Sequence, residues 1–594
     1  MRLRYLTLKN YPPLNDIVLS FSAESPLQRK CAIHFVVGVN GSGKTHLLQA
    51  LLETFLCLTR QQKPHFPVTL VYELGDGAKA RTLIFDNSGG SRKPGWWQSE
   101  PDQELLPSSF QIEDWQSLIE NVRDGSSEWE ALIENGNWPG KKVGLPQTVL
   151  AYTTGAIEPW KNILQREPPA TDIDIISQSL DYEINQERPA NWSLHQEIAH
   201  LGQSGDEEEF VQIQQLKKIA AEHGISESEQ EICKLITPLL LKFALLSVSL
   251  PLAMEELRKH ETQEQQHTFY QEVSVASEQG KGLRWLFNQV GWIWPVCISF
   301  TVDFRPNEWT EMESHFKRPL LQALYGFASE VVREPEPSTK RRLFFDLKAK
   351  NDADFTGALS DEAMISQFGG TDIFEFVGDA LLQMLGGRNG DPNDHFKRLL
   401  EFHQQDIIED IQISLRSSST EDILMFDELS DGEQVFLGRM ALFQLMQGQD
   451  DALLLLDEPE VHFNDKWKRE IVDIIDDVLQ NTANDVMIAT HSSITLTDVF
   501  NDEIILFEKD NGAAKVVPVK STTFGADPSE LMIRLFGVSD SIGARAVEWL
   551  DKQLDRDWSQ ADTNELNKLI KRVGPGFHRS ELRAILRRLQ KNAS

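Results

Sequence analysis

Eight residues, GVNGSGKT at Gly38 to Thr45, restrict the fold of this 594-residue chain more than any other stretch. They follow the apolar run CAIHFVVG and precede THLLQALLETFLCL, in which apolar residues recur at helical spacing. A buried strand, a glycine-rich turn and a helix, in that order, present backbone N–H groups and a helix N-terminus to an anion. Gly41 and Gly43 let that backbone approach phosphate oxygens, and Gly38, Asn40 and Ser42 are the other loop residues expected around a nucleotide. Lys44 is expected to bridge the β- and γ-phosphates and Thr45 to ligate Mg²⁺, so the cofactors implied are ATP and Mg²⁺.

Three later stretches supply the rest of such a site. In ALLLLDEPE the unbroken apolar run Ala452 to Leu456 reads as a strand buried on both faces, which leaves Asp457 and Glu458 at its exposed end. Asp457 is the expected metal carboxylate, and Glu458 the group that polarises an attacking water. LSDGEQ, Leu429 to Gln434, opens a second helix, where Ser430 offers a hydroxyl and Gly432 permits close backbone approach; taken alone, the loop reads equally as a helix cap. VMIATHSS places His491 directly after another strand.

GVNGSGKT, LSDGEQ, DEPEVHF and ATHSS together resemble the ABC ATPases, and within them the SMC, RecF and OLD group. With YTTG and the late TTFGADPSELMIRLFGV, the set is similar to restriction-associated and Septu-type (PtuA-like) anti-phage ATPases. The resemblance implies an α/β fold: an ABC-type P-loop nucleotide-binding domain with a mixed central sheet, interrupted by a large helical insertion. It makes His491 a γ-phosphate sensor, catalytic with Lys44 and Glu458, and places Ser430 and Gly432 against the nucleotide of a second subunit in a head-to-tail dimer. VHFND resembles the dimer-contacting D-loop, with Asn464 where many relatives have aspartate. The expected division is 1–155 and 416–525 for the two parts of the ATPase domain, 156–290 for a helical insertion, 291–415 for a strand and helical lid region, and 526–594 for a helical C-terminal region. A glutamine following an early strand is expected at Gln147 or replaced by the Tyr152 to Gly155 loop, and Tyr5 and Tyr11 serve equally as adenine-stacking or packing residues.

The functional expectation is a regulatory or sensor ATPase, hydrolysing ATP to ADP and phosphate, that dimerises on ATP and controls a separate effector such as a nuclease. The alternative is a repair ATPase of SMC/RecF type that clamps DNA. Nucleic acid is therefore a further candidate partner. A nuclease within the chain is the third reading, but RLLEFH (Arg398 to His403), the aspartates Asp551, Asp555 and Asp557, HQEIAH (195–200) and HETQEQQH (260–267) read as solvated or structural residues.

Charge narrows the partners. Asp and Glu number 91 against 58 Lys and Arg, giving a formal charge of -33, which repels polyanions except where basic residues are segregated. The clearest exception, Lys568 to Lys591, reads as the solvated face of an amphipathic helix or as a phosphate-binding surface. The four cysteines are widely separated, consistent with a reducing, cytoplasmic setting. The N-terminal sequence does not resemble a secretory signal, so the chain is expected to start at Met1. ITPLLLKFALLSVSLPLAM, Ile236 to Met254, approaches the length of a membrane span, but Lys242 at its middle favours a buried helix and no membrane partner.

Overall fold

The computed structural model describes residues 1–21, 31–60, 62–75, 80–88, 94–99, 110–125, 129–131, 144–165, 232–261, 290–303, 321, 324–335, 338–349, 376–387, 391–404, 406–417, 422–447, 449–479, 482–510 and 512–591. In chain order the strands are β1 (Arg2–Tyr11), β2 (Leu14–Ser20), β3 (Ala32–Gly38), β4 (Val68–Leu74), β5 (Arg81–Asp86), β6 (Gly95–Gln98), β7 (Glu130–Ala131), β8 (Thr148–Thr153), β9 (Cys233–Ile236), β10 (Trp292–Asp303), β11 (Glu330–Arg333), β12 (Lys340–Asp346), β13 (Asp410–Ser417), β14 (Ile423–Met425), β15 (Ala452–Asp457), β16 (Asp485–Thr490), β17 (Ile504–Asp510) and β18 (Ala513–Val517). The helices are α1 (Lys44–Thr59), α2 (Ile112–Gly125), α3 (Glu158–Leu164), α4 (Pro238–Glu261), α5 (Val377–Met384), α6 (Pro392–Gln404), α7 (Asp431–Met446), α8 (Asp465–Leu479), α9 (Pro528–Phe536), α10 (Ala544–Leu554), α11 (Thr563–Arg572) and α12 (Phe577–Lys591).

Seven strands in the order β18-β17-β3-β16-β15-β8-β9 form the central sheet. All its pairings are parallel except β17 with β18, so the sheet is mixed. Every residue of β15 is buried, because helices cover both faces of the sheet and a strand so enclosed has no polar side. Leu453 and Leu455 join the core that contains α1, while Ala452, Leu454 and Leu456 join the one built by α4, α7 and α8. The first core also takes Leu3, Leu6 and Leu8 of β1, from a six-stranded antiparallel sheet ordered β2-β1-β4-β5-β6-β7. Helix α1 is therefore enclosed between two sheets, which is why its apolar residues are distributed around the whole helix. A third, five-stranded sheet, β11-β12-β10-β13-β14, closes the opposite core.

The stretch expected as a helical insertion, 156–290, divides differently. Cys233–Ile236 is a strand of the central sheet, parallel to β8, and the following α4 packs against α7. These residues belong to the sheet and its covering helices, since Leu245, Leu246 and Ala253 are wholly buried there. The remainder of the expected insertion, 166–231 and 262–289, lies outside the described residues, as does HQEIAH, and of HETQEQQH only the backbone of His260 and Glu261 falls within them.

By length and composition, α4 alone among the described helices could cross a membrane, but most of the qualifying stretch is buried inside the fold. Its central charge is accounted for: Lys242 Nζ donates to Asp427 at 2.9 Å, to the carbonyl of Ile411 at 3.1 Å and to Asp410 at 3.2 Å. An ammonium buried among apolar residues persists only when oxygens replace its water in this way.

The α4–α7 crossing depends on Gly438, where a Cβ would stand 2.8 Å from Leu241 Cβ. Replacing a helical glycine by alanine ordinarily gains up to about 1 kcal/mol, whereas overpacking costs about 1–3 kcal/mol. Gly438→Ala is thus expected to destabilise the protein, lowering its urea midpoint relative to wild type; a raised midpoint would show that the helices separate without cost.

Candidate functional site

Four parallel strands end together, and the site stands on their C-terminal ends. Register pairs Asp457 with both Thr153 and Ala489, and Thr490 with Val37. Beyond β3 the chain turns through Val39 and Asn40, both exposed, and enters α1 at Gly43. Gly41 and Gly43 have φ values of +73° and +100°, a region that L side chains rarely occupy, so the turn requires glycine there. Ser42 is wholly buried below the loop.

Lys44 is 5% exposed and bends back over its own loop, donating to the carbonyls of Gly38 at 3.0 Å and Val39 at 3.4 Å. Its Nζ also lies 2.6 Å from His491 Nε2. Thr45 Oγ1 donates to Asp457, 3.0 Å from Oδ1 and 3.1 Å from Oδ2, and Thr153 Oγ1 donates to Oδ2 at 3.0 Å. Glu458 leaves β15 with φ +52°, its N–H held by the carbonyl of Ala489 at 2.8 Å. This left-handed turn brings its carboxylate to 3.3 Å from His491 Nε2. Lys44, Thr45, Asp457, Glu458 and His491 thus meet, although 412 residues separate Thr45 from Asp457.

Burial sets the charge states. It pushes Lys44 down to about 8, against the attraction of Glu458, Asp457 and Glu460. It pushes His491 down to about 4, and the neighbouring Lys44 charge acts in the same direction. A ring so placed is neutral at pH 7. Nε2 therefore accepts a hydrogen bond from the Lys44 ammonium, and the approach to Glu458 is not an ion pair. Burial, followed by repulsion from Asp457, raises Glu458, which Lys44 partly offsets. Asp457 is also raised by burial, with the hydroxyls of Thr153 and Thr45 opposing. The adjacent hydroxyl and carboxylate of Thr45 and Asp457 are hard oxygen donors, a set that suits Mg²⁺ completed by phosphate oxygens and water.

Ser430 and Gly432 stand apart, at the start of α7. They line an open pocket of about 560 Å³ with Asp431, Glu433, His462, Asn464 and Trp467. Ser430 is the N-cap, its Oγ accepting from the Glu433 N–H at 3.4 Å. Glu433 Oε2 in turn accepts from the Ser430 N–H at 2.9 Å and hydroxyl at 2.6 Å. A Cβ at Gly432 would meet the carbonyl of His462 at 2.7 Å, so the loop lies directly on VHFND. Asn464 Oδ1 accepts from the Trp467 N–H at 2.9 Å, which caps α8 and accounts for a side chain of this length there.

The alternatives for the early glutamine are separated by the sheet. Gln147 precedes β8, at the end of the strand opposite Thr153, so it lies away from the site. The Tyr152–Gly155 loop is at the right end, where Thr153 holds Asp457 and Thr154 Oγ1 reaches the carbonyl of Glu458 at 3.4 Å. Tyr5 stacks on Trp115 of α2, and Tyr11 lies edge-on to Phe66 with its hydroxyl on Glu53 of α1, so both rings of β1 are engaged in packing. Arg398 pairs with Glu401, while His403 bonds the carbonyl of Ile408 and packs on Phe243, an arrangement that forms no joint site. Asp551 is held by His578, and Asp555 and Asp557 are exposed.

Several contributors lack a local motif. Glu460 is 3% exposed, raised by burial, and accepts from the hydroxyl of Thr490, the residue before His491. Arg439 of α7 is 2% exposed and donates to the Tyr152 hydroxyl at 2.5 Å, with its guanidinium over the rings of Tyr152 and Phe463. The second glutamate of DEPE is the available signal for Glu460. Thr153 falls in the expected Tyr152–Gly155 loop, whereas nothing in the spacing of Arg439 announces it.

Residues 1–69 match a family model described as "AAA domain", and residues 320–498 one described as "AAA domain, putative AbiEii toxin, Type IV TA system". The first match contains the loop around Lys44, and the second contains Ser430, Asp457, Glu458 and His491. No curated protein matches the sequence. Among solved structures, the Smc head domain of Pyrococcus furiosus bound to the C-terminal domain of ScpA is 13% identical, with 87% of this chain and 96% of that chain covered and a TM-score of 0.27. The SMC head domain from Thermotoga maritima is 11% identical, with 88% and 100% covered and a TM-score of 0.26. Likenesses this distant add nothing to the chain's own geometry. The mixed α/β fold and the two matches, each to less than half of the chain, are similar to P-loop ATPases of the AAA-domain kind.

The neutral state of His491 is open to measurement. Its folded value lies below the unfolded value of 6.5, so the unfolded chain binds more protons between about pH 6.5 and 4. The stability contributed by His491 is complete above that window and is lost as pH falls through it. Selective ¹⁵N-histidine labelling should show Nε2 unprotonated until about pH 4, and Lys44→Met should move the midpoint upward. A midpoint of 6.5 that is insensitive to Lys44→Met would refute this placement.

Proposed function

We propose that this chain is a regulatory ATPase in which nucleotide binding closes a homodimer and hydrolysis reopens it. The observation that carries the reading is the meeting of Lys44, Thr45, Asp457, Glu458 and His491 at one end of the central sheet, with Ser430 and Gly432 in a separate open pocket. The backbone of Gly38, Asn40, Gly41, Ser42 and Gly43 cradles the phosphates, and Lys44 exchanges the carbonyls of Gly38 and Val39 for β- and γ-phosphate oxygens. Thr45 and Asp457 would hold Mg²⁺, which when bound neutralises charge on the β- and γ-phosphates. Glu458, whose carboxyl is raised by burial, accepts a proton from water as the water oxygen bonds to the γ-phosphorus and the bond to the ADP oxygen breaks. His491, neutral and beside Lys44, orients at the γ-phosphate.

The second pocket needs a phosphate from outside its own site. Glu433 now occupies the N–H and hydroxyl of Ser430, the donors that a partner's γ-phosphate would use. Docking a second subunit head to tail would displace that carboxylate and complete two composite sites. The likeness of the motifs to restriction-associated and Septu-type ATPases extends the reading to a cytoplasmic component of an anti-phage system, whose closed dimer controls a separate effector such as a nuclease.

Lys44→Ala should abolish binding of a fluorescent ATP analogue. Glu458→Gln should retain binding, slow hydrolysis by about 10²–10⁴-fold and accumulate an ATP-dependent dimer in light scattering. Hydrolysis unchanged in Glu458→Gln would break the mechanism. Affinity capture of Glu458→Gln with its native neighbouring genes expressed should recover a stoichiometric nuclease-like partner, and self-association alone would remove the effector from the reading.

A further inference from the structure

The C-terminal helices stand apart in both packing and charge. Leu550, Trp558, Leu566, Ile570 and Leu582 form a small core belonging to α10, α11, α12 and the turns between them. The unit follows α9, whose Phe536 ring lies 6.0 Å from that of His491. From Thr563 to Lys591 it carries eight Lys and Arg against two Glu, in a chain whose formal charge is -33.

Those charges are not spent on the fold. Lys568, Lys571, Arg572, Arg583, Arg587 and Arg588 are all exposed, and none has an acidic partner among the described residues. Three acids of the same unit are engaged elsewhere, Glu565 by Arg556, Asp551 by His578 and Glu548 by Lys552, which leaves Glu581 as the one exposed acid on α12. On α12, Arg583 and Arg587 are one turn apart, about 6 Å along the axis, and Arg588 widens the stripe. On α11, Lys568, Lys571 and Arg572 point away from the buried Leu566 and Ile570. Exposed aromatic rings accompany them, with Phe577 70% exposed at the start of α12 and Trp549 49% exposed on α10.

We infer that α11 and α12 bind the phosphate backbone of a nucleic acid. Guanidinium forks suit phosphate, and release of counterions from the polyanion supplies the free energy. Accessible rings among basic side chains are the means by which unstacked bases are held, which favours a single strand over an acidic protein surface. The inference does not rest on the ATPase mechanism, because the surface lies outside the residues of the nucleotide site.

The test is fluorescence anisotropy of the full chain with a labelled oligonucleotide of about 30 nucleotides, single-stranded or as duplex, between about 50 and 200 mM KCl. The wild type should bind with a steep salt dependence. Arg583→Gln/Arg587→Gln/Arg588→Gln should bind at least about tenfold more weakly at about 100 mM KCl, with a salt slope shallower by about 2 to 3. Its melting temperature and basal ATPase rate should match the wild type. Tighter binding of the single strand, weakened further by Phe577→Ala, would support base stacking, and equal binding of both forms would support backbone recognition alone. Absence of wild-type binding, or a triple variant that binds equally well, would overturn the inference. So would a triple variant that keeps nucleic acid but loses an acidic protein partner. Loss of hydrolysis in Glu458→Gln with oligonucleotide binding intact would separate this surface from the nucleotide site.

Discussion

The in-register parallel pairing of β3, β16, β15 and β8 is the constraint on which the rest of the structure depends. With Asp457 opposite both Thr153 and Ala489, and Thr490 opposite Val37, all four strands finish at one level. Because side chains alternate along a strand, a slip of one residue would exchange the sets facing α1 and facing α4 and α7. The same slip would turn the Asp457 carboxylate away from the hydroxyls of Thr45 and Thr153. Packing on both faces of the sheet thereby fixes the geometry of the polar cluster at its edge.

That cluster is held under electrostatic tension that the fold sustains. Lys44, Asp457 and Glu460 are each at most 6% exposed, and burial moves all three toward their neutral forms. The opposite charges and hydroxyls nearby recover part of the lost hydration, as seen in the three acceptors around the Lys44 ammonium and the two hydroxyls on Asp457. A phosphate ligand offers Lys44 oxygens carrying formal charge in place of carbonyls and a neutral ring. On the proposed reading, the donors are in place before a phosphate arrives, an arrangement suited to stabilising charge that shifts during reaction.

Much of this was legible in the sequence because the informative residues carry local signals. Glycines at Gly41 and Gly43 mark a turn with positive φ, the uninterrupted ALLLL marks a strand covered on both faces, and Ser430 with Glu433 marks the start of a helix. Less legible were residues whose role depends on a distant partner. Cys233–Ile236 reads as part of a helical stretch because four residues are too few to show a period of two, yet it forms the edge strand beside β8. Lys242 argues against a membrane span in the sequence, but its partners Asp410 and Asp427 are 168 and 185 residues away and only the fold brings them to it.

By itself, then, the sequence determined the strand-loop-helix around Lys44, the carboxylates at the end of β15, the caps and the charge asymmetry of the C-terminal helices. These are properties of neighbouring residues, set by backbone sterics, apolar periodicity and side-chain chemistry. Tertiary structure alone decided which threonine holds Asp457, that Gln147 lies at the wrong end of β8, that His491 is neutral beside Lys44, and that Arg439 and Glu460 are buried near the site. Each of these depends on a distance between residues far apart in the chain, and such distances follow from strand order and register rather than from any local pattern.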